Sequence, residues 1–269
     1  MAESKERLDK VLVDRELAPT RNRARAIIMA GRVVVDEHRI DKAGHLVRPD
    51  ASIRIKPGRG EFVGRGGDKL QHALKAFEVD AQSLICLDVG ASTGGFTQCL
   101  LKSGALKVYA VDVGYGQMDP LVRNDPRVVS VERTNARYLS SDEIPEPVSL
   151  VTMDVSFISA LKILPALVPL STPEAVFVIL IKPQFELGPS EVGKGGIVRS
   201  ADKHVKALKT VAMGMMDAGL FPWAVTNSPI AGASGNREFF ALARKKPSSL
   251  PPGDLDQEIM RVVGRCHPA

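Results

Sequence analysis

A short apolar run that leads into a glycine-rich turn constrains the fold of this chain more than any other feature. The run is Leu84-Ile85-Cys86-Leu87, and the turn reads Asp88-Val89-Gly90-Ala91-Ser92-Thr93-Gly94-Gly95-Phe96. A helix-like segment begins directly after it, at Thr97. Glycine lets the backbone turn tightly and approach a ligand closely, so a buried strand, such a turn and a helix indicate a parallel α/β sheet that binds a cofactor. A glycine turn without a ligand is the alternative.

An acidic residue follows this turn at the distance at which such sheets contact a ribose. The next apolar run, Val108-Tyr109-Ala110-Val111, ends at Asp112, 24 residues after Asp88. A carboxylate there can accept hydrogen bonds from ribose hydroxyls. Asn135 follows a further strand-like segment and is predicted to contact the adenine end, with a simple turn role as the alternative. The predicted cofactor-binding set is Asp88, Gly90, Ala91, Ser92, Thr93, Gly94, Gly95, Phe96, Asp112, Asn135 and Asp154.

The composition of the turn favours one class of cofactor over another. Gly90, Gly94 and Gly95 do not have the G-x-G-x-x-G spacing of dinucleotide sites. The turn also begins with Asp88, whose negative charge would repel a pyrophosphate. S-adenosylmethionine carries a cationic sulfonium and an amino group in place of phosphates. The turn therefore predicts S-adenosylmethionine.

Four charged side chains are predicted to share the pocket of this sheet: Lys69, Asp154, Lys182 and Glu238. Asp154 and Lys182 each end an apolar run, and ligands of open parallel sheets gather outside the carboxyl ends of the strands. Two lysines and two carboxylates favour proton transfer from a weakly acidic group over metal binding. A structural cluster of ion pairs is the alternative.

The segments around these residues resemble the FtsJ-type family of ribose 2′-O-methyltransferases, whose active site is a Lys-Asp-Lys-Glu set in this chain order. With its N-terminal extension, the chain up to Lys246 is similar to the hemolysin A, or TlyA, family of ribosomal RNA cytidine 2′-O-methyltransferases. The stretches that carry this similarity are VGRGGDKL (63–70), KPQFE (182–186) and GKGGIV (193–198). The resemblance implies methyl transfer to a cytidine ribose in 16S rRNA, 23S rRNA or both.

The chemistry of methyl transfer suggests a role for each residue of the four-residue set. A ribose hydroxyl must lie in line with the methyl group and lose its proton as the new bond forms. We expect Lys182 to contact the hydroxyl as base or final proton acceptor, which requires a pKa well below the usual value of about 10.4. Asp154 is expected to orient Lys182 and to hold the charged end of the cofactor. Lys69 and Glu238 are expected to fix the ribose.

The positive charge of the chain is concentrated at its N-terminal end. Residues 1–59 hold 14 Lys and Arg against 9 Asp and Glu, whereas residues 60–269 hold 22 of each. This asymmetry is typical of a separate nucleic-acid-binding module.

The N-terminal segment has the pattern of a small α+β domain. Leu8, Val11 and Leu12 have helical spacing, and a second helix is predicted from an N-cap at Thr20 to a stop at Gly31. Strands are predicted at 33–35 and 52–55, with a turn at 36–39 after the first. This pattern resembles the S4-type RNA-binding domain, whose basic residues grip phosphates. The predicted RNA contacts are Arg7, Arg21, Arg25, Arg32 and Arg65, and a solvated basic face is the alternative.

These observations predict two domains and a tail. An S4-like domain spans residues 1–59, with a linker at about 56–62, and a Rossmann-type α/β methyltransferase domain spans 60–246. Its seven strands are expected near 84–88, 107–112, 128–131, 148–153, 175–181, 221–227 and 238–244, with the last two forming an antiparallel hairpin. The tail, 247–269, contains a short possible helix at 259–263 and has no predicted role. The linker could couple RNA docking to the cofactor pocket, and the loop 188–196 is predicted to be a mobile lid or an ordinary surface loop.

Composition limits the class of protein. Three scattered cysteines and a charged N-terminus favour a cytoplasmic chain without disulfides or a membrane span. The histidines lack metal-ligand spacing, so no metal is predicted. Ribosomal RNA within ribosomal subunits is the expected partner, and the sequence does not indicate an oligomeric state. A non-catalytic ribosome assembly factor and a membrane-active hemolysin are the alternative functions.

Overall fold

The computed structural model describes residues 5–29, 31–55, 61–232, 235–247 and 254–267. The N-terminal part is a small α+β unit in which two helices pack on two short antiparallel sheets, with strand order β3-β2-β5 in one sheet and β1-β4 in the other. Its elements are β1 (Glu6–Arg7), α1 (Leu8–Asp14), α2 (Arg21–Met29), β2 (Val33–Val35), β3 (His38–Ile40), β4 (Leu46–Val47) and β5 (Ile53–Ile55).

The predicted signals of this unit are present in the structure, with one exception. Leu8, Leu12 and Ile28 are fully buried in its core, and the Thr20 hydroxyl accepts a hydrogen bond from the backbone N–H of Arg23 at 3.2 Å. The predicted turn at 36–39 is too long, because β3 already begins at residue 38. Residues 36 and 37 have φ values of 45° and 66°, the left-handed backbone that lets a two-residue turn join paired strands.

The larger part of the chain is a three-layer α/β unit. Its elements are α3 (Arg65–Ala76), β6 (Ile85–Val89), α4 (Gly95–Lys102), β7 (Lys107–Val111), α5 (Pro120–Arg123), β8 (Val128–Val131), β9 (Val148–Met153), α6 (Leu164–Leu167), β10 (Ser171–Ile181), α7 (Pro183–Glu186), α8 (Ala201–Asp217), β11 (Phe221–Asn227), β12 (Phe239–Arg244) and α9 (Asp254–Cys266).

One sheet of seven strands organises this unit, in the order β11-β12-β10-β9-β6-β7-β8. Five neighbouring strands of this sheet, β10, β9, β6, β7 and β8, are mutually parallel. The strand β12 is antiparallel to both of its neighbours, β10 and β11. The predicted α/β class and the antiparallel terminal pair are thus confirmed. The strand order reverses direction between β6 and β9, and ligands of open α/β sheets bind at such a switch point.

Three elements differ from the sequence-based expectation. The sequence predicted no helix for the segment that carries Lys69, which lies in α3. The strand β10 begins at Ser171, four residues before the predicted start, because Ser171 pairs with Val148 ahead of an irregularity in the ladder. The helix α9 is longer than predicted, and it buries Ile259, Val262 and Val263 in the core beside α8 and β11.

Apolar side chains cover both faces of the sheet. Phe177, Phe239 and Met153 are buried on one face, and Leu150 and Phe240 are buried on the other. Burial on both faces is expected for parallel strands covered by helices. No helix in the described ranges combines the length and the apolar content needed to cross a membrane.

Candidate active site

Strand direction explains how four residues far apart in sequence reach one edge of the sheet. Asp154 follows the carboxyl end of β9, and Lys182 follows the carboxyl end of β10. Because β12 runs antiparallel, its first residue lies at this same edge, and Phe239 pairs with Ile181. Glu238, just before β12, therefore lies beside Lys182. Lys69 reaches the edge from the first turns of α3.

The four side chains form two ion pairs in one cavity. Lys69 Nζ lies 2.5 Å from Glu238 Oε2, with 8% and 4% of the two side chains exposed. Lys182 Nζ lies 2.6 Å from Asp154 Oδ1 and donates a hydrogen bond of 2.8 Å to Ser156 Oγ. All four line a cavity of about 450 Å³. The structure thus brings together the two lysines and two carboxylates that were predicted from the sequence to share a pocket.

Asp154 stays negatively charged in this setting. Burial on its own would raise the pKa of the Asp154 carboxyl, but the ammonium groups of Lys182 and Lys69 outweigh burial and hold the pKa below its ordinary value. The cavity therefore contains a fixed negative charge near neutral pH.

The glycine turn passes directly over the residue that carries this charge. Gly90 has φ +85°, and a Cβ there would lie 2.3 Å from the backbone oxygen of Asp154. A Cβ at Gly95 would lie 2.9 Å from the backbone nitrogen of Gly67, so the first turns of α3 and α4 are in contact. Glycine is required at both positions because backbone meets backbone. The two glycine-rich segments that flank β6 thus form one wall of the cavity.

The predicted cofactor residues divide into two groups. Those that line the cavity are Gly90, Ala91, Ser92, Thr93, Gly95, Phe96 and Asp154. Asp112 lies outside the lining, where its carboxylate accepts hydrogen bonds from the backbone N–H groups of Ser92 at 2.8 Å and Gly114 at 2.7 Å. Gly94 is the N-cap of α4 and faces Val122.

Asn135 and Asp88 also lie outside the cavity lining. The Asn135 side chain caps the turn 136–138 by accepting a hydrogen bond from the backbone N–H of Arg137 at 3.1 Å. Asp88 is fully buried beneath the glycine turn, where it accepts hydrogen bonds from Thr97 at 2.6 Å and Thr152 at 3.3 Å. Burial, opposed by these hydrogen bonds, raises the pKa of Asp88 to about 7. Its side chain thus ties α4 and β9 to β6 below the cavity.

The predicted RNA-contacting arginines have different environments. Arg7 and Arg21 both bind Asp9 and remain exposed, and Arg25 is also exposed. Arg32 is half-buried. Arg65 lines the cavity, pairs with Asp41 of the N-terminal unit at 3.3 Å and donates a hydrogen bond of 2.6 Å to the carbonyl of Ala231. Arg65 therefore bridges the two units at the cavity mouth.

The N-terminal unit contacts the cavity wall directly. Arg23 of α2 pairs with Asp119 at 2.7 Å, and the Asn22 side chain donates to the carbonyl of Tyr115 at 3.0 Å. The backbone N–H of Asp119 in turn donates to the carbonyl of Thr93 at 3.1 Å. Met29 lines the cavity itself. This junction was not predictable from local sequence patterns, because each pair joins residues about a hundred positions apart.

Several residues at the mouth were also not singled out from the sequence. Phe157 is 91% exposed with φ 65°, and its ring centre lies 5.2 Å from that of Phe185. Glu186 accepts hydrogen bonds from the Ser159 hydroxyl at 2.5 Å and the Ala160 N–H at 2.9 Å. Glu186 thereby fastens the segment after β9 to the segment after β10. The only available signal was that these residues flank Asp154 and Lys182.

The glycine-rich loop predicted as a lid lies against the cavity. Val192, Gly195 and Gly196 line it. The buried Asn236 side chain donates to the Gly196 carbonyl and accepts from the Val198 N–H, each at 2.8 Å. Asn236 thus anchors the loop beside Glu238. Residues 56–60 of the predicted linker lie outside the described residues, and Phe62 packs against α3.

Metal ligation has no support from geometry in the ranges that the structure covers. Within them, no three His, Cys, Asp or Glu side chains lie together as a metal ion would require.

The strand order, the antiparallel last strand and the glycine turn at the switch point define a Rossmann-type methyltransferase fold, which is joined to a small α+β unit. The family model described as "FtsJ-like methyltransferase" matches residues 62–245, and the S4 domain model matches residues 6–53. The chain belongs to the FtsJ-like methyltransferase family, within its TlyA/hemolysin A group.

Relatives match over nearly the whole chain. The 16S/23S rRNA (cytidine-2′-O)-methyltransferase TlyA of Mycobacterium tuberculosis is 41% identical, covering 96% of this chain and 97% of the relative. Hemolysin A of Brachyspira hyodysenteriae is 41% identical, covering 87% of this chain and 98% of the relative. A solved structure from Streptococcus thermophilus, of a protein assigned as a hemolysin, is 40% identical with a TM-score of 0.75, covering 99% of this chain and 97% of that one.

Proposed function

We propose that this protein transfers a methyl group from S-adenosylmethionine to the 2′-hydroxyl of a cytidine in ribosomal RNA. The observation that carries the proposal is the position of Lys182 Nζ, held by Asp154 and Ser156 at the wall of a cavity that the glycine turn also lines. Family membership supports the use of S-adenosylmethionine, and the name of the Mycobacterium tuberculosis relative supports the RNA and the nucleotide.

The residues around the cavity fit this cofactor. A volume of about 450 Å³ lies in the range of small-molecule sites. Asp154 provides a lasting negative charge, which complements the cationic sulfonium and amino groups. The backbone of residues 90–93, which lines the cavity, would hold the nucleoside portion, and Asp112 would support this backbone through its hydrogen bond from the Ser92 N–H. Bound S-adenosylmethionine would supply an electrophilic methyl group at this edge of the sheet.

We infer that Lys182 handles the proton of the ribose hydroxyl. A lysine side chain has three tetrahedral positions at Nζ, and contacts with Asp154 and Ser156 occupy two of them. The third is left for the hydroxyl oxygen. To act as the base, the Lys182 ammonium must first release one proton to solvent. The neutral amine, with its two N–H groups bound to Asp154 and Ser156, would then accept the hydroxyl proton at this third position as the oxygen–methyl bond forms. The buried pair of Lys69 and Glu238 would hold the ribose from the opposite side.

An exposed aromatic ring beside the cavity and exposed arginines on the N-terminal unit are suited to a large substrate that carries negative charges and aromatic bases. Phe157 presents a ring face on which a base can stack, and Arg7, Arg21 and Arg25 present positive charge on the N-terminal unit. Phosphate contacts would position the RNA while the cavity selects the ribose. Such a substrate is present wherever ribosomal subunits assemble, so we propose that the protein acts in the cytoplasm.

Purified ribosomal subunits and radiolabelled cofactor test the proposal. The wild-type protein should label a cytidine ribose in the small subunit, the large subunit or both, and Lys182→Ala should lower turnover by at least about 100-fold. Lys162→Ala is the matched control, because this lysine is exposed and does not line the cavity.

The position of the label decides the outcome. Label on a base or on protein contradicts the proposed reaction, and near-normal turnover by a folded Lys182→Ala protein contradicts the role of Lys182. Tight binding to subunits with no cofactor binding, measured by calorimetry, would instead favour a non-catalytic assembly factor.

A further inference from the structure

A buried carboxylate in the N-terminal unit contacts two exposed arginines. Asp9, the second residue of α1, has only 1% of its side chain exposed. Arg7 donates to it through Nε and Nη2 at 3.0 Å each, which is a bidentate arrangement. Arg21 of α2 donates through Nη2 to the same two oxygens, at 3.3 and 3.2 Å. One carboxylate therefore fixes guanidinium groups that belong to two different elements.

Both arginines still face solvent. The Arg7 side chain is 51% exposed and the Arg21 side chain is 57% exposed. A guanidinium has five N–H donors, of which Arg7 uses two for Asp9 and Arg21 uses those of a single nitrogen. Most donors of the pair therefore remain for another acceptor. With two positive charges and one negative charge, the cluster keeps a net charge of +1.

The contacts also keep Asp9 ionised. Hydrogen bonding from Arg7 lowers the pKa of Asp9, burial opposes this change, and hydrogen bonding from Arg21 adds to it. A permanently charged, buried oxygen pair restricts the rotamers of both long side chains. Side chains that are already restricted lose less conformational entropy when they bind a phosphate than freely rotating arginines do.

We infer that Asp9 is a positioning residue that presents Arg7 and Arg21 as a preformed clamp for one phosphate of RNA. The inference rests on the proposed function, because it takes ribosomal RNA as the ligand. Arginine forks match phosphate geometry, and bidentate donors add direction to charge. Asp9 weakens the net attraction of the surface and improves its geometry, so these two effects of Asp9 on RNA affinity have opposite signs.

Because the two effects of Asp9 have opposite signs, the direction in which RNA affinity changes in an Asp9 variant decides between them. In Asp9→Asn the surface gains one positive charge, so charge alone predicts tighter RNA binding. The clamp predicts weaker binding, by about fivefold, because two arginines lose their fixed geometry. Asp14→Asn is the matched control: it lies on the same helix and makes the same charge change, but it is 53% exposed and pairs with Lys10 at 3.6 Å. That variant should bind RNA as tightly as the wild type or slightly more tightly.

Affinity for purified ribosomal subunits would be measured against salt concentration. Loss of one phosphate contact in Asp9→Asn should reduce the slope of log K against log salt by about 1. Equal or tighter binding with an unchanged or steeper slope would overturn the clamp. Circular dichroism and thermal melting of the same samples establish that the variant is folded.

A mutant cycle separates the clamp from a role of Asp9 in folding alone. With Arg7→Ala and Arg21→Ala together, a further Asp9→Asn change should leave RNA affinity unchanged or raise it slightly, because only the effect of charge remains. A fivefold loss that persists in this background would overturn the inference, as would wild-type affinity of the double arginine variant. Methyl transfer at saturating protein, measured on the same variants, reports on the proposed function independently, since none of these residues lines the cavity.

Discussion

Replacing Gly90 by alanine tests how closely the glycine turn approaches the backbone after β9. Gly90 combines φ +85° with a Cβ position 2.3 Å from the Asp154 carbonyl oxygen. The first feature strains any residue with a side chain, and the second forces backbone atoms apart. We expect Gly90→Ala to destabilise the fold and to displace Asp154 from the cofactor cavity.

The magnitude follows from these two contributions. A non-glycine residue at positive φ costs about 1–2 kcal/mol. Overpacking against atoms that cannot move away costs roughly 1–3 kcal/mol more. Gly90→Ala should therefore lower the free energy of unfolding by about 2–5 kcal/mol. For a unit of this size, the melting temperature should fall by about 5–15 °C.

Gly219 offers a control that isolates the second contribution. It has φ +81°, and among described atoms outside its own neighbourhood none lies within 4 Å of its Cβ position. Gly219→Ala should cost only about 1–2 kcal/mol in urea unfolding and leave cofactor affinity in calorimetry unchanged. If the two variants unfold alike and both bind the cofactor normally, the close approach of Gly90 to Asp154 is refuted.

Three further predictions concern residues around the cavity. Burial raises the pKa of Asp88 in the folded protein to about 7, so its contribution to the free energy of unfolding is fully present below about pH 4 and is lost as the pH rises to 7. Asp88→Asn should remove this part of the pH dependence measured by urea unfolding. Glu186→Ala removes both hydrogen bonds that join the two segments and should lower kcat/KM by about tenfold. Ser159→Ala removes only one of these two, together with its own hydrogen bond from the Leu161 N–H, and should have a smaller effect; equal effects in kinetic assays would contradict a bracing role of Glu186. Arg23→Ala and Asp119→Ala should each reduce cofactor affinity by at most about fivefold, and the double variant should lose no more than either single variant, because each change breaks the same ion pair. If calorimetry shows that the two losses add, the ion pair is not what supports cofactor binding.

The sheet was predictable because its strands are marked by local apolar runs. Parallel strands buried on both faces appear as continuous runs, and the runs 148–153 and 176–181 end where the strands end. The start of β10 at Ser171 was not predictable, because a polar segment with Pro173 pairs irregularly through tertiary context. The helix α3 was missed because its first turn contains Gly66 and Gly67, which disfavour helix in isolation.

The site was predictable only where residues follow strand ends. Asp154, Lys182 and Glu238 could be placed together because strand direction fixes where each strand ends. The roles of Ser156 and Asn236 depend on hydrogen bonds to partners 26 and 40 positions away, which local pattern does not encode. The junction of Arg23 and Asp119 depends in the same way on how two units dock.

The insertion of β12 between β10 and β11 has a consequence for the biosynthesis of the protein. Glu238, which pairs with Lys69, comes 56 residues after Lys182 in the sequence, and the strand that follows it lies between two strands that precede it in the sequence. A nascent chain that already contains the glycine turn and Lys182 still lacks this partner. The protein can thus transfer methyl groups only after the ribosome that makes it has translated past β12.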